Sequence, residues 1–392
     1  MRLAQRMQAI RPSATLAVNA KAQELRAAGK PIVSLAVGEP DFPTPAHVVD
    51  AAHQALRDGF TRYTPVPGIA PLREAVAASF ARYGVTTAGP EHVMVTNGGK
   101  QALFNLFLAI LDPGDEVLVP APYWVSYPDM IALAQGVPVA VPTEPERGFL
   151  VDLDALDAAC TPRTRMLVLN SPSNPTGAHY TQEAMDQLAA WAHDRGIFVV
   201  SDEIYAQLVY PPAAPASLAP WWQRHPGGFA IVNGLAKSHA MTGWRVGYVL
   251  AHADLIKAMV KIQGQSTSNI CSIAQKAALA ALTGDDACVQ AMRQAFQRRR
   301  DLAMDMVQTW PKVVCPKPQG AFYLFPRVDA LYSPTVPDSA AMCAYLLDAA
   351  SVALVPGAAF GDDRCIRISY AVDDATLTEA LGAIGQALAR LC

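Results

Sequence analysis

Seven strand-length apolar runs, separated by helix-length segments, constrain this 392-residue chain more than any other feature. They are Val93–Thr96, Glu116–Val119, Val137–Val141, Arg165–Leu169, Ile197–Ser201, Ala230–Asn233 and Val246–Leu250. Most are continuous rather than alternating, the pattern of strands covered on both faces. Helical periodicity intervenes: Leu103, Leu106, Phe107 and Ile110 share one face, and Met185, Leu188, Ala189 and Ala192 another, behind Thr181 as N-cap. This alternation predicts an α/β fold with a mainly parallel sheet and helices on both sides. The last two runs are joined only by a short turn around Lys237, so one antiparallel strand is expected there.

The pattern changes near residue 285. A long charged helix containing Arg298-Arg299-Arg300, short strands and a final helix with Leu377, Leu381, Ile384 and Leu388 on one face read as a smaller α+β unit. The N-terminal arm, with the proline-rich loop Gly38–Pro45, can pack with it. The expected division is a large domain over 46–285 and a discontinuous small domain over 1–45 and 286–392. Net charge is −3 and charged residues are 17%. No strong field is available for nucleic acid or a membrane surface, and no apolar run is long enough to span one. Seven scattered cysteines without a Cys-x-x-Cys argue against a disulfide framework or a zinc ribbon, and no metal is expected. A reducing, cytoplasmic setting is the expectation, since Met1–Ala20 has no apolar signal core.

Four polar clusters stand at the strand ends, where ligands bind in open α/β sheets. Asn97-Gly98-Gly99-Lys100 joins a strand to a helix, and glycines before a helix N-terminus let backbone approach a phosphate. Asn170–Gly177 is a turn shaped by two prolines. Asp202-Glu203-Ile204-Tyr205 follows an apolar run, so Asp202 needs a partner: a helix N-terminus, an arginine or a protonated heteroaromatic nitrogen. Lys237 lies between a strand and a Gly/Thr-rich turn that ends at Arg245. A lysine amine can bond covalently to an aldehyde cofactor and an arginine can hold its phosphate. Taken alone, a solvated lysine beside a structural arginine is the simpler account.

Asn174-Pro175-Thr176-Gly177, Asp202-Glu203-Ile204-Tyr205 and Ala236-Lys237 with Gly243-Trp244-Arg245-Val246-Gly247, in this order and spacing, resemble the class I aminotransferases of the pyridoxal phosphate (PLP) fold type I. The similarity covers essentially the whole chain. Arg11–Thr15, Gly38–Phe42, Gly98–Ala102 and Pro122–Tyr127 resemble the bacterial aspartate aminotransferase branch, which includes the aspartate/prephenate enzymes.

The resemblance implies roles. Lys237 would hold PLP and then carry the proton between substrate Cα and the cofactor; Asp202 would hold the pyridine N–H; Tyr205 and Asn174 would bond the phenolic oxygen. Trp124 would stack on the ring. Arg245 and the Gly98, Gly99, Lys100 segment, with the Ser238 region, would surround the phosphate. Tyr63 would reach the phosphate in a neighbouring subunit, implying a homodimer with shared sites. Arg367 would clamp the substrate α-carboxylate, with Gly38 against the substrate, Phe322 as a wall and Arg364 solvated. The reaction implied is ping-pong transamination through pyridoxamine phosphate.

Two positions depart from the commoner pattern. Gly234 stands where many relatives have a phosphate-binding serine, and Ile262–Asn269 offers no arginine for a distal carboxylate. Lys100 and the arm residues Arg11, Ser13 and Thr15 are the expected substitutes. A dicarboxylic pair, aspartate and 2-oxoglutarate, is expected. Prephenate, aromatic or alanine specificity, or a PLP lyase on the same scaffold, are the alternatives. A regulator would need an appended DNA-binding module, and no Gly-x-Gly-x-x-Gly follows the first strand, which removes a dinucleotide-binding enzyme.

Overall fold

The computed structural model describes residues 3–8, 10, 12 and 14–392. Among them, the largest sheet has seven strands: β1 Val93–Thr96, β2 Glu116–Ala121, β3 Val137–Pro142, β4 Thr164–Asn170, β5 Phe198–Asp202, β6 Phe229–Gly234 and β7 Gly247–Leu250. Their spatial order is β1-β7-β6-β5-β4-β2-β3. β7 runs antiparallel to both β1 and β6, and the other pairings are parallel. The antiparallel strand thus sits where the short Lys237 turn required it. β3, with Pro138 and Pro142, lies at the sheet edge, where a missing N–H donor is tolerated.

Both sheet faces are covered by apolar clusters. One face packs Leu118, Leu167, Val199 and Ile231 against Met185 and Leu188 of helix α2, Gln182–Asp194, which follows α1, Gly99–Ile110. The other packs Val117, Val168, Val200 and Val232 against Leu103, Leu106 and Phe107 of α1. Thr181 caps α2, its side chain accepting from Ala184 N.

A second core draws on α3 Ala287–Val307, α4 Ser339–Ala350 and α5 Asp374–Ala389, together with Leu35 from the N-terminal segment and Tyr205, Leu208 and Tyr210 from beyond β5. A three-stranded antiparallel sheet lies here: β8 Tyr323–Leu324, β9 Val355–Pro356 and β10 Ile366–Ser369, in the order β9-β10-β8. Val33–Ser34 pairs in parallel with Val352–Ala353, tying the N-terminal segment to this part of the chain. No described helix is long and apolar enough to cross a membrane.

Candidate active site

The strand register brings the polar clusters to one edge. Asn170 is level with Asp202, Asp202 with Val232, and Gly234 with Gly247, which also faces Thr96. Because β7 is antiparallel, its N-terminal end shares this edge with the carboxyl ends of β4, β5 and β6. Arg245, two residues before Gly247, therefore arrives beside the Gly98-Gly99 turn that follows β1.

Asp202 is buried at the end of β5. Tyr127 Oη donates to its Oδ2 at 2.7 Å, and Ile204 N to its Oδ1 at 3.2 Å. Burial outweighs these bonds and pushes the carboxyl up to about 6. Asn170 bridges the neighbouring cluster: its Nδ2 donates to Asp202 O at 2.9 Å and its Oδ1 accepts from Asn174 N at 2.8 Å.

Lys237 forms no ion pair among the described residues; its Nζ donates to the Gly38 carbonyl and lies 5.8 Å from the Tyr205 ring centroid and 5.7 Å from that of Phe322. Burial is the largest influence and, with the Arg367 and Arg245 charges, lowers the amine to about 8 against the opposing pull of Glu39 and Asp202. A useful fraction of the nucleophilic free base is present near neutral pH.

Around Gly98 the backbone is closely packed. Gly98 has φ +82°, and a Cβ there would stand 2.5 Å from Arg245 Nη2. A Cβ on Gly247 would collide with the Gly98 and Gly99 backbone. Arg245 Nη1 donates to Thr242 O at 2.8 Å and Nη2 to Asn97 O at 3.3 Å, and its side chain is otherwise open to the cleft. Lys100 follows in the first turn of α1, its Nζ 5.0 Å from the Trp124 ring centroid; desolvation and the Arg245 charge lower its pKa. Ser238 Oγ is engaged with His239 Nδ1 at 2.8 Å. A Cβ on Gly234 would stand 2.9 Å from Val246 O, so a serine there would displace the antiparallel turn.

Arg367 on β10 is 2% exposed, and a buried guanidinium needs several acceptors. Nη1 donates to Asn174 Oδ1 at 3.0 Å and Nη2 to Ala36 O at 2.6 Å, while the buried Nε has no partner among the described residues. The guanidinium lies over Tyr323 and Phe360, 4.6 and 5.0 Å from the ring centroids. Tyr205 Oη and Tyr323 Oη are 2.8 Å apart. A Cβ on Gly38 would meet that Tyr323 hydroxyl at 2.8 Å, so glycine is what lets the arm close over the site.

Sequence reasoning assigned no role to Tyr127, Tyr323 or Asn170. Tyr127 belongs to the Pro122–Tyr127 run and Tyr323 adjoins Phe322, but nothing local in either says which carboxylate or hydroxyl its phenol meets. One expectation is corrected. Arg364 is not simply solvated: half-buried, its guanidinium is ion-paired with Asp362 at 2.9 Å and Glu144 at 2.7 Å. Tyr63 is 92% exposed on the chain's own surface. Thr15 lies half-buried in the first turn of the helix Ala14–Ala27, and Arg11 and Ser13 fall outside the described residues.

The arrangement supplies partners for the phosphate, ring nitrogen and aldehyde of PLP. A glycine cradle with Arg245 suits a phosphate, a buried carboxylate with no ion pair among the described residues suits a ring N–H⁺, and an amine near 8 suits an aldehyde.

Comparison with known proteins agrees. The family described as "Aminotransferase class I and II" matches residues 30–384. An aspartate aminotransferase of Streptomyces avermitilis is 46% identical over 99% of this chain and 96% of its own length. An aspartate/prephenate aminotransferase of Thermus thermophilus is 48% identical over 99% of both chains. The solved Thermus thermophilus aspartate aminotransferase with maleate superposes with a TM-score of 0.93 at 46% identity, covering 99% of this chain and 100% of that one. The chain belongs to the class I and II aminotransferases, and is accordingly a PLP-dependent enzyme of fold type I.

Proposed function

We propose that this enzyme transfers the amino group of L-aspartate, or glutamate, to a 2-oxo acid such as 2-oxoglutarate. The carrying observation is the half-buried, partly free-base Lys237 amine in a site with a buried carboxylate, Asp202, and a buried guanidinium, Arg367. When bound, PLP supplies a conjugated ring that accepts the electron pair left as the substrate Cα–H bond breaks. Lys237 Nζ takes and returns that proton. Asp202, oriented by Tyr127, would hold the ring N–H⁺. Tyr205 and Asn174 would hold the ring oxygen, Trp124 would pack on the ring, and Gly98, Gly99, Lys100 and Arg245 would hold the phosphate. Arg367, with its unpartnered Nε, orients the α-carboxylate beside Gly38 and Asn174.

The second cation, Lys100, with Arg11, Ser13 and Thr15 of the arm, would read a distal carboxylate. The printed names of the relatives, and maleate in the Thermus structure, support a dicarboxylic substrate. Prephenate is a second acceptor by the same charge logic, favoured by the 48% identical aspartate/prephenate relative. Tyr63, almost fully exposed, supports a homodimer in which this side chain reaches the partner's site. The parallel pairing of Val33–Ser34 with Val352–Ala353 supports a division into 46–285 and 1–45 with 286–392. Seven free cysteines support a reducing compartment such as the cytoplasm.

Steady-state assays with a panel of amino donors and 2-oxo acids test the proposal. Aspartate should have the highest kcat/KM; alanine or an aromatic amino acid ahead of it by tenfold would refute the dicarboxylic assignment. Lys237→Ala should lose the lysine-dependent cofactor absorbance and turnover while keeping the fold, and retention of that absorbance would remove Lys237 from its role.

A further inference from the structure

We propose that Glu39 is a positioning residue for Lys237: its carboxylate, latched to the lysine turn through Thr242, holds positive charge on the Lys237 nitrogen. The inference rests on Lys237 being the cofactor lysine.

The geometry begins with the loop that carries Glu39. Residues 38–44 are stitched to the turn 237–244 at several points. Gly38 O accepts from Lys237 Nζ, and Thr242 Oγ1 donates to Glu39 Oε2 at 2.8 Å. Further along, Thr44 Oγ1 donates to Ala240 O at 2.8 Å, and Trp244 Nε1 donates to Thr44 Oγ1 at 2.9 Å. The loop's other side is anchored to α3: Asp41 pairs with Arg299 at 2.7 Å, and Phe42 meets Phe296 edge-on at 5.5 Å. These contacts hold the loop against the turn, and the Thr242 hydroxyl tethers the exposed Glu39 carboxylate beside it.

Charged groups from four elements act electrostatically on the Lys237 nitrogen. Glu39 comes from the loop, Asp202 from β5, Arg367 from β10, and Arg245 from the lysine's own turn. The uncharged rings of Tyr205 and Phe322 close the remaining sides. Two cations and the burial itself oppose a charge on the amine, and two carboxylates favour it. Of those carboxylates Glu39 has the larger influence. Glu39 is exposed at its outer edge, so its effect is open to screening by salt, whereas that of buried Asp202 is not. A carboxylate at the mouth of the site can therefore set the protonation of the reacting nitrogen without touching the substrate.

The sign is fixed. Removing a negative charge near a cation disfavours the cation, so the nitrogen of Glu39→Gln should release its proton at lower pH than wild type. The test has two readouts. In the cofactor-free chain, the pH profile of Lys237 labelling by an amine-reactive reagent is followed by peptide mapping. In the PLP-loaded enzyme, the pH midpoint of the visible cofactor absorbance is titrated. Glu39→Gln should lower both midpoints by about half a unit or more at low salt, and the difference should shrink at ~0.5 M salt. Thr242→Val, which frees the carboxylate without neutralising it, should give a smaller shift of the same sign and serves if Glu39→Gln does not fold. Glu39→Asp should restore part of the shift. Unchanged or raised midpoints overturn the inference. A shift insensitive to salt also overturns it, since it would reflect a loosened loop rather than a lost charge. Absence of any Lys237-dependent absorbance in the wild type would instead refute the assignment of Lys237, a separate outcome.

Discussion

Tyr127 donates a 2.7 Å hydrogen bond to the Asp202 carboxylate, and both groups are buried. Burial raises Asp202 and the tyrosine opposes that rise, so the phenol is what keeps the carboxylate near the ionised form.

Tyr127→Phe should therefore raise the Asp202 pKa further and weaken its hold on a ring N–H⁺. Leaving one carboxylate oxygen unsatisfied should cost about 1–3 kcal/mol of folding stability. Turnover should fall about tenfold. Denaturant unfolding and kcat on the same preparation check both, and unchanged kcat would remove Tyr127 from the site.

Arg367 holds its place through Asn174 and Ala36 and presents a buried Nε. Arg367→Lys keeps the charge and loses the planar fork. It should lower kcat/KM for the amino donor by about 30- to 5,000-fold, corresponding to ~2–5 kcal/mol. Cofactor absorbance should survive. Loss of that absorbance with kcat/KM would mean that the arginine supports the fold rather than the substrate.

Gly98 and Gly247 crowd the same turn but for different neighbours. A Cβ on Gly98 meets the end of the flexible Arg245 side chain, whereas one on Gly247 meets the Gly98–Gly99 backbone. Gly98→Ala, at φ +82°, should cost about 1 kcal/mol of stability or slightly more and weaken PLP binding through Arg245. Gly247→Ala should cost about 3 kcal/mol or more, because two strands must separate. Cofactor titration and thermal unfolding distinguish them, and equal losses of stability would contradict the difference in neighbours.

Glu203 lies wholly inside, accepting from Ser201 Oγ at 2.9 Å, Ser217 Oγ at 2.7 Å and Leu218 N at 2.9 Å. Burial raises its carboxyl from 4.5 to about 7. A raised acid keeps its proton in the folded chain after the unfolded chain has lost it. Its stabilising contribution is full below about 4.5 and is lost as pH rises through about 7. Between pH 6 and 8 the wild type should lose about 1 kcal/mol more stability than Glu203→Gln. Histidine contributions cancel in that difference. Equal slopes in urea unfolding at the two pH values would remove Glu203 as the cause.

Much of the fold was legible because its causes are local. Continuous apolar runs such as Val93–Thr96 and Ile197–Ser201 have to be covered on both faces, and the brevity of the Lys237 turn leaves no room for a crossover. Lys237, Asp202 and Arg245 could be named as candidates for the same reason: each stands at a strand end or in a turn adjoining one. Partners were not legible where they come from distant sequence. The Tyr127–Asp202 bond joins residues 75 positions apart, and Arg367 reaches Asn174 across 193.

By itself the sequence determined a parallel α/β framework with one reversed strand and a family of cofactor chemistry, since periodicity, turn length and residue type suffice for these. The three-dimensional packing alone decided which hydroxyl orients Asp202, why Gly38 and Gly247 admit no side chain, and that Arg364 is tied up by Asp362 and Glu144. It also decided how charged Lys237 is. That last property belongs to no residue alone, because burial and the fields of Glu39, Arg367, Arg245 and Asp202 act on one nitrogen only after the chain has folded.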